Sequence, residues 1–289
     1  MGKGINFYSI EKEIALGKSL AQEIEQQAKM VEDPIVTEYI NRLGQNLVRN
    51  SDSKVPFTVK VIDAEEINAF ALPGGYLFVN SGLILTAETE AELAGVMAHE
   101  IAHVAARHGT RQATRGGIAN LATIPLIFMG GWGGYGARQA VGVLIPVGFL
   151  RFSRAFEREA DFLGLQYLYK TGYDPASFID FFERIQGLER KKPGTLSRVF
   201  STHPLTNDRI AATQKDIQGF DQKPEYVITT SEFSEVRAKL TQTMNRRKPE
   251  DQSGRPTLRK NPSDKIDPAD DGGKDKKKDE DERPTLKRR

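Results

Sequence analysis

Cysteine is absent from the 289 residues. With it go disulfide cross-links, thiolate metal sites and thiol nucleophiles, so any metal chemistry must rest on imidazole and carboxylate. Histidine is scarce, with four in the whole chain, so two of them placed four residues apart carry weight. An excess of one charge is missing too. The segment 246–289 holds 15 Lys and Arg against 11 Asp and Glu, which leaves 26 against 28 for 1–245. A body this near to neutral offers no basic face for nucleic acid. Long apolar runs are also lacking: the two most apolar stretches fall short of the roughly 20 residues that a membrane-spanning helix needs, and each contains a proline.

What is present is concentrated in 89–109, TEAELAGVMAHEIAHVAARHG. His99, Glu100 and His103 form an HExxH motif. On a helix of 3.6 residues per turn the two imidazoles lie on one face a turn apart. Glu100 falls about 100° round from His99, beside the open position of a bound metal. The whole stretch reads as one helix: Thr89 and Glu92 make a capping box, the interior is rich in Ala, Leu and Glu without proline, and Gly109 supplies a left-handed stop. A helix with two surface histidines is the plain alternative, and the scarcity of histidine elsewhere counts against it.

Ahead of this motif the chain predicts two helices, a strand and a hairpin. The first helix falls within Tyr8–Val31, with Ile10, Ile14, Leu20 and Ile24 at helical spacing. The second opens at Asp33 and Pro34, with Ile35, Tyr39, Leu43 and Leu47 as its buried stripe. The pattern then switches to period two over Pro56–Ile62. AFAL, Pro73-Gly74-Gly75 and YLFV form a hairpin. Its Tyr76–Val79 strand is expected to lie beside the active site with a free edge, where an extended peptide can add as a further strand.

Behind the motif, residues 118–150 carry two apolar runs separated by a linker, with six glycines between Gly130 and Gly142. Buried core helices, an interfacial hairpin and a flap over the metal all fit. The glycines favour a cleft-covering hairpin or one making peripheral membrane contact, with Trp132 and Tyr135 near its tip. Further helices are expected from about Ser153 to a stop at Gly172, from Asp174-Pro175 with Phe178, Phe182, Ile185 and Leu188 in its core stripe, after STHPLTNDR, and from Ser231 to Asn245. The domain is therefore placed at 1–245. Residues 246–289 have almost nothing apolar to bury and read as a disordered charged tail. That tail repeats itself as RPTLRK and RPTLKR, either a docking motif for a partner or low-complexity drift.

A catalytic zinc takes three protein ligands and leaves one position open. His108 is nearest to HExxH, but it follows His103 by five residues on what reads as the same helix and is expected to turn away. The extended pattern HExxHxxGxxH is not met, because Ala106 and Gly109 stand at its last two defined positions. EREAD at 157–161 is the better source. Glu157 and Asp161 share a helix face, which suits one as ligand and the other as acceptor for a histidine N–H.

HEIAH at 99–103, EREAD at 157–161, INAFALPGGYLFVNSGL at 67–83 and HPLTNDR at 203–209 together resemble the zinc metallopeptidases typified by HtpX, BepA and the CAAX prenyl proteases. That resemblance implies an α+β fold: a mainly helical zincin-type domain with a small mixed β-sheet beside the HExxH helix. It also implies one Zn²⁺ per chain on His99, His103 and Glu157, with Glu100 as catalytic base and Asp161 orienting a ligand histidine. His203 and Arg209 match positions that line or gate the cleft. His203 either stabilises the oxyanion or binds zinc in the resting enzyme. The membrane helices of HtpX and the helical-repeat domain of BepA have no counterpart here, so the likeness is to envelope-associated soluble members. A periplasmic or cell-envelope location is expected, with a signal peptide removed ahead of the MGKG start.

The expected function is endopeptidase cleavage of misfolded or envelope proteins, bound in extended form, by a zinc-activated water. The rival is a non-catalytic zinc-containing chaperone or adaptor that binds clients through the edge strand; it has no need of Glu100.

Overall fold

Helix α1 (Ile10–Gln27) starts at Ser9, whose hydroxyl accepts the Lys12 N–H. Helix α2 (Pro34–Arg49) starts at Asp33, whose carboxylate accepts the Ile35 N–H. The buried face of α2 is Val36, Tyr39, Ile40, Leu43 and Leu47, while Ile35 stays 54% exposed. A repeat of four drifts about 40° per step round a helix. A stripe drawn through Ile35 therefore starts at the margin of the buried face, and Val36 takes its place. The computed structural model describes residues 4–115, 152–191, 203 and 206–247. The 118–150 insert and both tail motifs lie outside them. All the described residues belong to one compact unit, Met1–Arg247.

Among the described residues the sheet has three strands, β1 (Thr58–Ile62), β2 (Ala69–Leu72) and β3 (Tyr76–Asn80), in the order β1-β3-β2. β1 runs parallel to β3 with Thr58 opposite Tyr76, and β2 runs antiparallel to it with Phe70 opposite Phe78. The hairpin turn relies on Gly74 and Gly75, at φ 80° and 95°. A Cβ on Gly75 would stand 2.0 Å from the Pro56 carbonyl oxygen. β3 is thus the central strand, paired on both sides. This corrects the expected free edge on Tyr76–Val79. The parallel strand β1 fills it, a pairing between strands distant in sequence that local pattern does not announce, and β2 is the edge strand on the other side.

A short helix α3 (Ser81–Thr86) leads to α4 (Glu90–Ala105), every residue of which is buried. Thr89 caps α4 through the Glu92 N–H at 3.2 Å. The two acidic residues in its first turn are matched there: Glu90 accepts from the Tyr173 and Thr230 hydroxyls, and Glu92 pairs with Arg184. α4 ends four residues before the expected stop. Arg107, at φ 57°, makes the left-handed reversal in place of Gly109. A non-glycine residue is held there by its side chain, which donates to Glu13 Oε1 at 2.8 Å and reaches the Tyr8 carbonyl. Helix α5 (His108–Arg115) then sets off from that reversal.

Helix α6 (Arg154–Thr171) is capped by Ser153 and stopped by Gly172 at φ 91°, as its sequence predicts. α7 (Ala176–Lys191), α8 (Asn207–Gln218, capped by Thr206) and α9 (Ser231–Arg247) complete the described elements. α2, α6 and α7 pack round α4, and Phe178, Phe181, Phe182 and Ile185 seat α7 in the core. The architecture is α+β, mainly helical, with the mixed sheet beside α4. No described helix is long and apolar enough to cross a membrane.

Candidate metal centre

Helical spacing on α4 brings the Nε2 atoms of His99 and His103 to 3.0 Å from each other. Glu157, in the first turn of α6, places Oε2 at 3.5 Å from His99 Nε2 and Oε1 at 3.6 Å from His103 Nε2. His203, just ahead of α8, lies with Nδ1 at 3.4 Å from His99 Nε2 and 2.8 Å from Glu157 Oε1. One donor atom from each of these four buried residues falls within 4.8 Å of all the others. Tetrahedral zinc with bonds of roughly 2.0–2.1 Å holds its donors about 3.3 Å apart. The four residues fit such an ion in both donor type and spacing. Among the described residues no second cluster of this kind occurs.

The supporting groups are charged and buried. His99 Nδ1 lies 3.1 Å from Asp161 Oδ1, one turn along α6 from Glu157. Arg209 of α8 grips Asp161 with two parallel bonds, Nε to Oδ2 at 2.8 Å and Nη2 to Oδ1 at 2.6 Å. Its Nη1 stands 3.0 Å from Glu157 Oε2 and donates to the His203 carbonyl at 3.2 Å. A single guanidinium thus ties together the Glu157 carboxylate, the Asp161 carboxylate behind His99 and the backbone of His203. It also lines a cavity of about 280 Å³ with Phe152, Arg154, Arg158, Thr206 and Asp208.

Protonation follows from this packing. Burial opposes charge on His99, yet the Asp161 and Glu157 carboxylates outweigh it and hold its pKa up at about 9. Burial pushes His103 well below the usual imidazole value. Glu157 is also disfavoured as an anion by burial, but the histidines round it win and hold it far below the ordinary carboxylate range. Asp161 is lowered despite burial by the Arg209 bonds. Glu100 goes the other way: burial raises it.

Glu100 is placed by the sheet as well as by its helix. Its Oε2 accepts the Ala71 N–H of edge strand β2 at 3.2 Å, and its Oε1 lies 3.5 Å from His203 Nε2. The expected site residues His99, Glu100, His103, Glu157, Asp161, His203 and Arg209 are therefore all brought together, and all are buried.

One neighbour departs from its expected place. His108 is turned back onto His103, with the two Nδ1 atoms 2.9 Å apart, because Arg107 reverses the chain between α4 and α5. It supplies no atom to the four-residue cluster, but it is not turned away. Burial lowers its pKa to about 4, so it is a neutral imidazole. The signal available was the histidine count: four in the chain, and all four converge here.

Two histidines on one helix and a glutamate on a second that could hold a metal ion, with a carboxylate behind the first histidine, match the constellation of a metallopeptidase. The chain belongs to Peptidase family M48, whose model matches residues 34–217. It is 32% identical over 241 residues to the beta-barrel assembly-enhancing protease of Escherichia coli, covering 80% of this chain and 48% of that protein. It is 30% identical over 197 residues to the metalloprotease LoiP of Escherichia coli, covering 67% and 76%. With the mitochondrial metalloendopeptidase OMA1 of Saccharomyces cerevisiae it shares 33% over 153 residues, covering 51% and 43%. The aligned region spans less than half the length of the beta-barrel assembly-enhancing relative.

Proposed function

We propose that this chain is a zinc-dependent endopeptidase with Glu100 as general base. The observation that carries the reading is the placement of Glu100 against the four-residue cluster: one oxygen is fixed by Ala71, and the other, Oε1, has no hydrogen-bond partner among the described residues. A buried carboxylate with a raised pKa is suited to taking and returning a proton near neutral pH. His99, His103 and Glu157 would hold the ion, and Asp161 would keep the His99 proton on Nδ1. A zinc ion there supplies Lewis acidity, polarising the scissile carbonyl and acidifying the attacking water. Glu100 Oε1 accepts the proton lost by that water and delivers it to the leaving amine as the C–N bond breaks.

The relatives named as proteases and endopeptidases support a polypeptide as substrate. The relatives named for β-barrel assembly support envelope proteins as substrates and a cell-envelope location. His203 offers Nδ1 to the ligand set from the place a fourth ligand would take. That position favours closing the site at rest over stabilising an oxyanion.

The test is zinc content together with casein cleavage for the wild type and Glu100→Gln. The variant is expected to keep zinc and lose cleavage. Undiminished cleavage by Glu100→Gln overturns the assignment, and a zinc-loaded wild type whose casein and envelope-protein digests show no cut favours a binding-only adaptor.

A further inference from the structure

His103 turns Nε2 to the metal site and Nδ1 to His108 Nδ1, 2.9 Å away. The other nitrogen of His108 lies 3.1 Å from Glu159 Oε2, and that oxygen also accepts from Arg111 Nη1 at 3.1 Å. His108 is wholly buried and stacked on Phe156, with ring centroids 4.5 Å apart and planes 16° apart. Glu159 is the middle acidic residue of EREAD, between the two already given roles.

An imidazole ligates through an unprotonated nitrogen, so ligation at Nε2 puts the His103 proton on Nδ1. His108 Nδ1 must then accept with its lone pair, and the His108 proton sits on Nε2, where the Glu159 carboxylate takes it. Donation in this one direction satisfies every nitrogen in the chain. The reverse direction would put the His103 proton on Nε2, inside the metal site, and leave His108 Nε2 with a lone pair facing an anion.

We propose that His108, backed by Glu159, is a positioning group for His103: it holds that ligand in its metal-binding tautomer through a second imidazole, as Asp161 holds His99 directly. The inference rests on the metal-centre reading. Its consequence is that the two α4 ligands are not equivalent, one being supported by a carboxylate and the other by a neutral ring with a carboxylate behind it.

The test uses the full chain with His108→Phe and His108→Gln. Phe keeps the stacking on Phe156 but cannot accept from His103, whereas the Gln amide can accept from His103 and donate to Glu159. Three measurements are made: zinc affinity by chelator competition, thermal melting of the metal-free proteins, and long-range ¹H–¹⁵N imidazole spectra of the zinc-loaded wild type. The expected spectrum has the His108 proton on Nε2. Zinc binding should weaken about 10- to 100-fold in His108→Phe, the range for a lost partner behind a ligand, and His108→Gln should recover most of that loss. A His108 proton on Nδ1, or wild-type zinc affinity in a folded His108→Phe, overturns the proposal. So does an equal loss in both variants, which would mark a packing role. Should His108→Phe melt below the assay temperature, the wild-type spectrum and His108→Gln decide. A wild type that binds no zinc overturns the metal centre itself.

Discussion

Gly164 of α6 lies against the backbone of His99 on α4: a Cβ on Gly164 would stand 3.2 Å from the His99 nitrogen and 3.3 Å from its Cα. Asp161 and Glu157 precede Gly164 by three and seven residues, which places all three on one face of α6. The bare glycine lets the two helices approach, and that approach carries both carboxylates to the histidines.

Gly164→Leu should therefore damage the site as well as the packing. Forcing a side chain into this contact costs about 1–3 kcal/mol. The metal-free variant is expected to melt earlier, and zinc affinity to fall because Glu157 and Asp161 are pushed back. Wild-type zinc affinity in chelator competition would separate the helix contact from the metal centre.

Arg209→Met leaves the buried Asp161 without its two-bond partner and takes from Glu157 one of its cationic neighbours. Removing one member of a buried ion pair costs about 3–5 kcal/mol. Bound zinc restores positive charge beside Glu157, so the melting temperature should drop more in the metal-free variant than in the zinc-loaded one. Equal drops would argue against electrostatic coupling between Arg209 and the metal.

His203→Ala distinguishes the two roles open to that residue. With His203 as a removable fourth ligand, basal casein cleavage rises; with His203 as an oxyanion partner, it falls. The position of Nδ1 among the ligand atoms favours the rise. Initial rates at matched zinc occupancy decide between them.

Zinc affinity should depend on pH through one proton. In the metal-free protein His99 is held protonated up to about pH 9, whereas His103 is kept neutral and Glu157 ionised. Below about pH 9 zinc must displace the His99 proton, so affinity rises with pH by about tenfold per unit. Above it the proton is already gone and this dependence flattens. Chelator competition from pH 7 to 10 measures the slope, and Asp161→Asn, which removes a carboxylate that raises His99, should move the break to lower pH.

Much of the local structure was legible because its causes are local. Ser153 and Gly172 bound α6, Thr89 opens α4, and Pro73-Gly74-Gly75 turns the hairpin, each through hydrogen bonds or backbone angles set within a few residues. HExxH and EREAD named the carboxylate and imidazole chemistry in the same way. Where local signals compete, a contact from elsewhere in the fold decides. Gly109 looked like the helix stop, but Arg107 reverses the chain first because Glu13 and Tyr8, about a hundred residues away, hold its side chain. Likewise β3 lost its expected free edge to β1, whose parallel pairing spans an intervening strand.

The sequence by itself determined which donors the protein has: four histidines, no cysteine, and carboxylates at helical spacing on a second helix. It also set the periodicities that make α4 and α6 helices. Only the tertiary structure decided how those donors meet. Packing at Gly164 carries Glu157 and Asp161 to His99, the Arg107 reversal folds His108 onto His103, and Arg209 on α8 locks two carboxylates of α6 while holding the backbone of His203. The division has a physical reason: a turn or cap is settled by neighbours in the chain. A buried charge is tolerated only where a partner from elsewhere in the fold arrives within hydrogen-bonding distance.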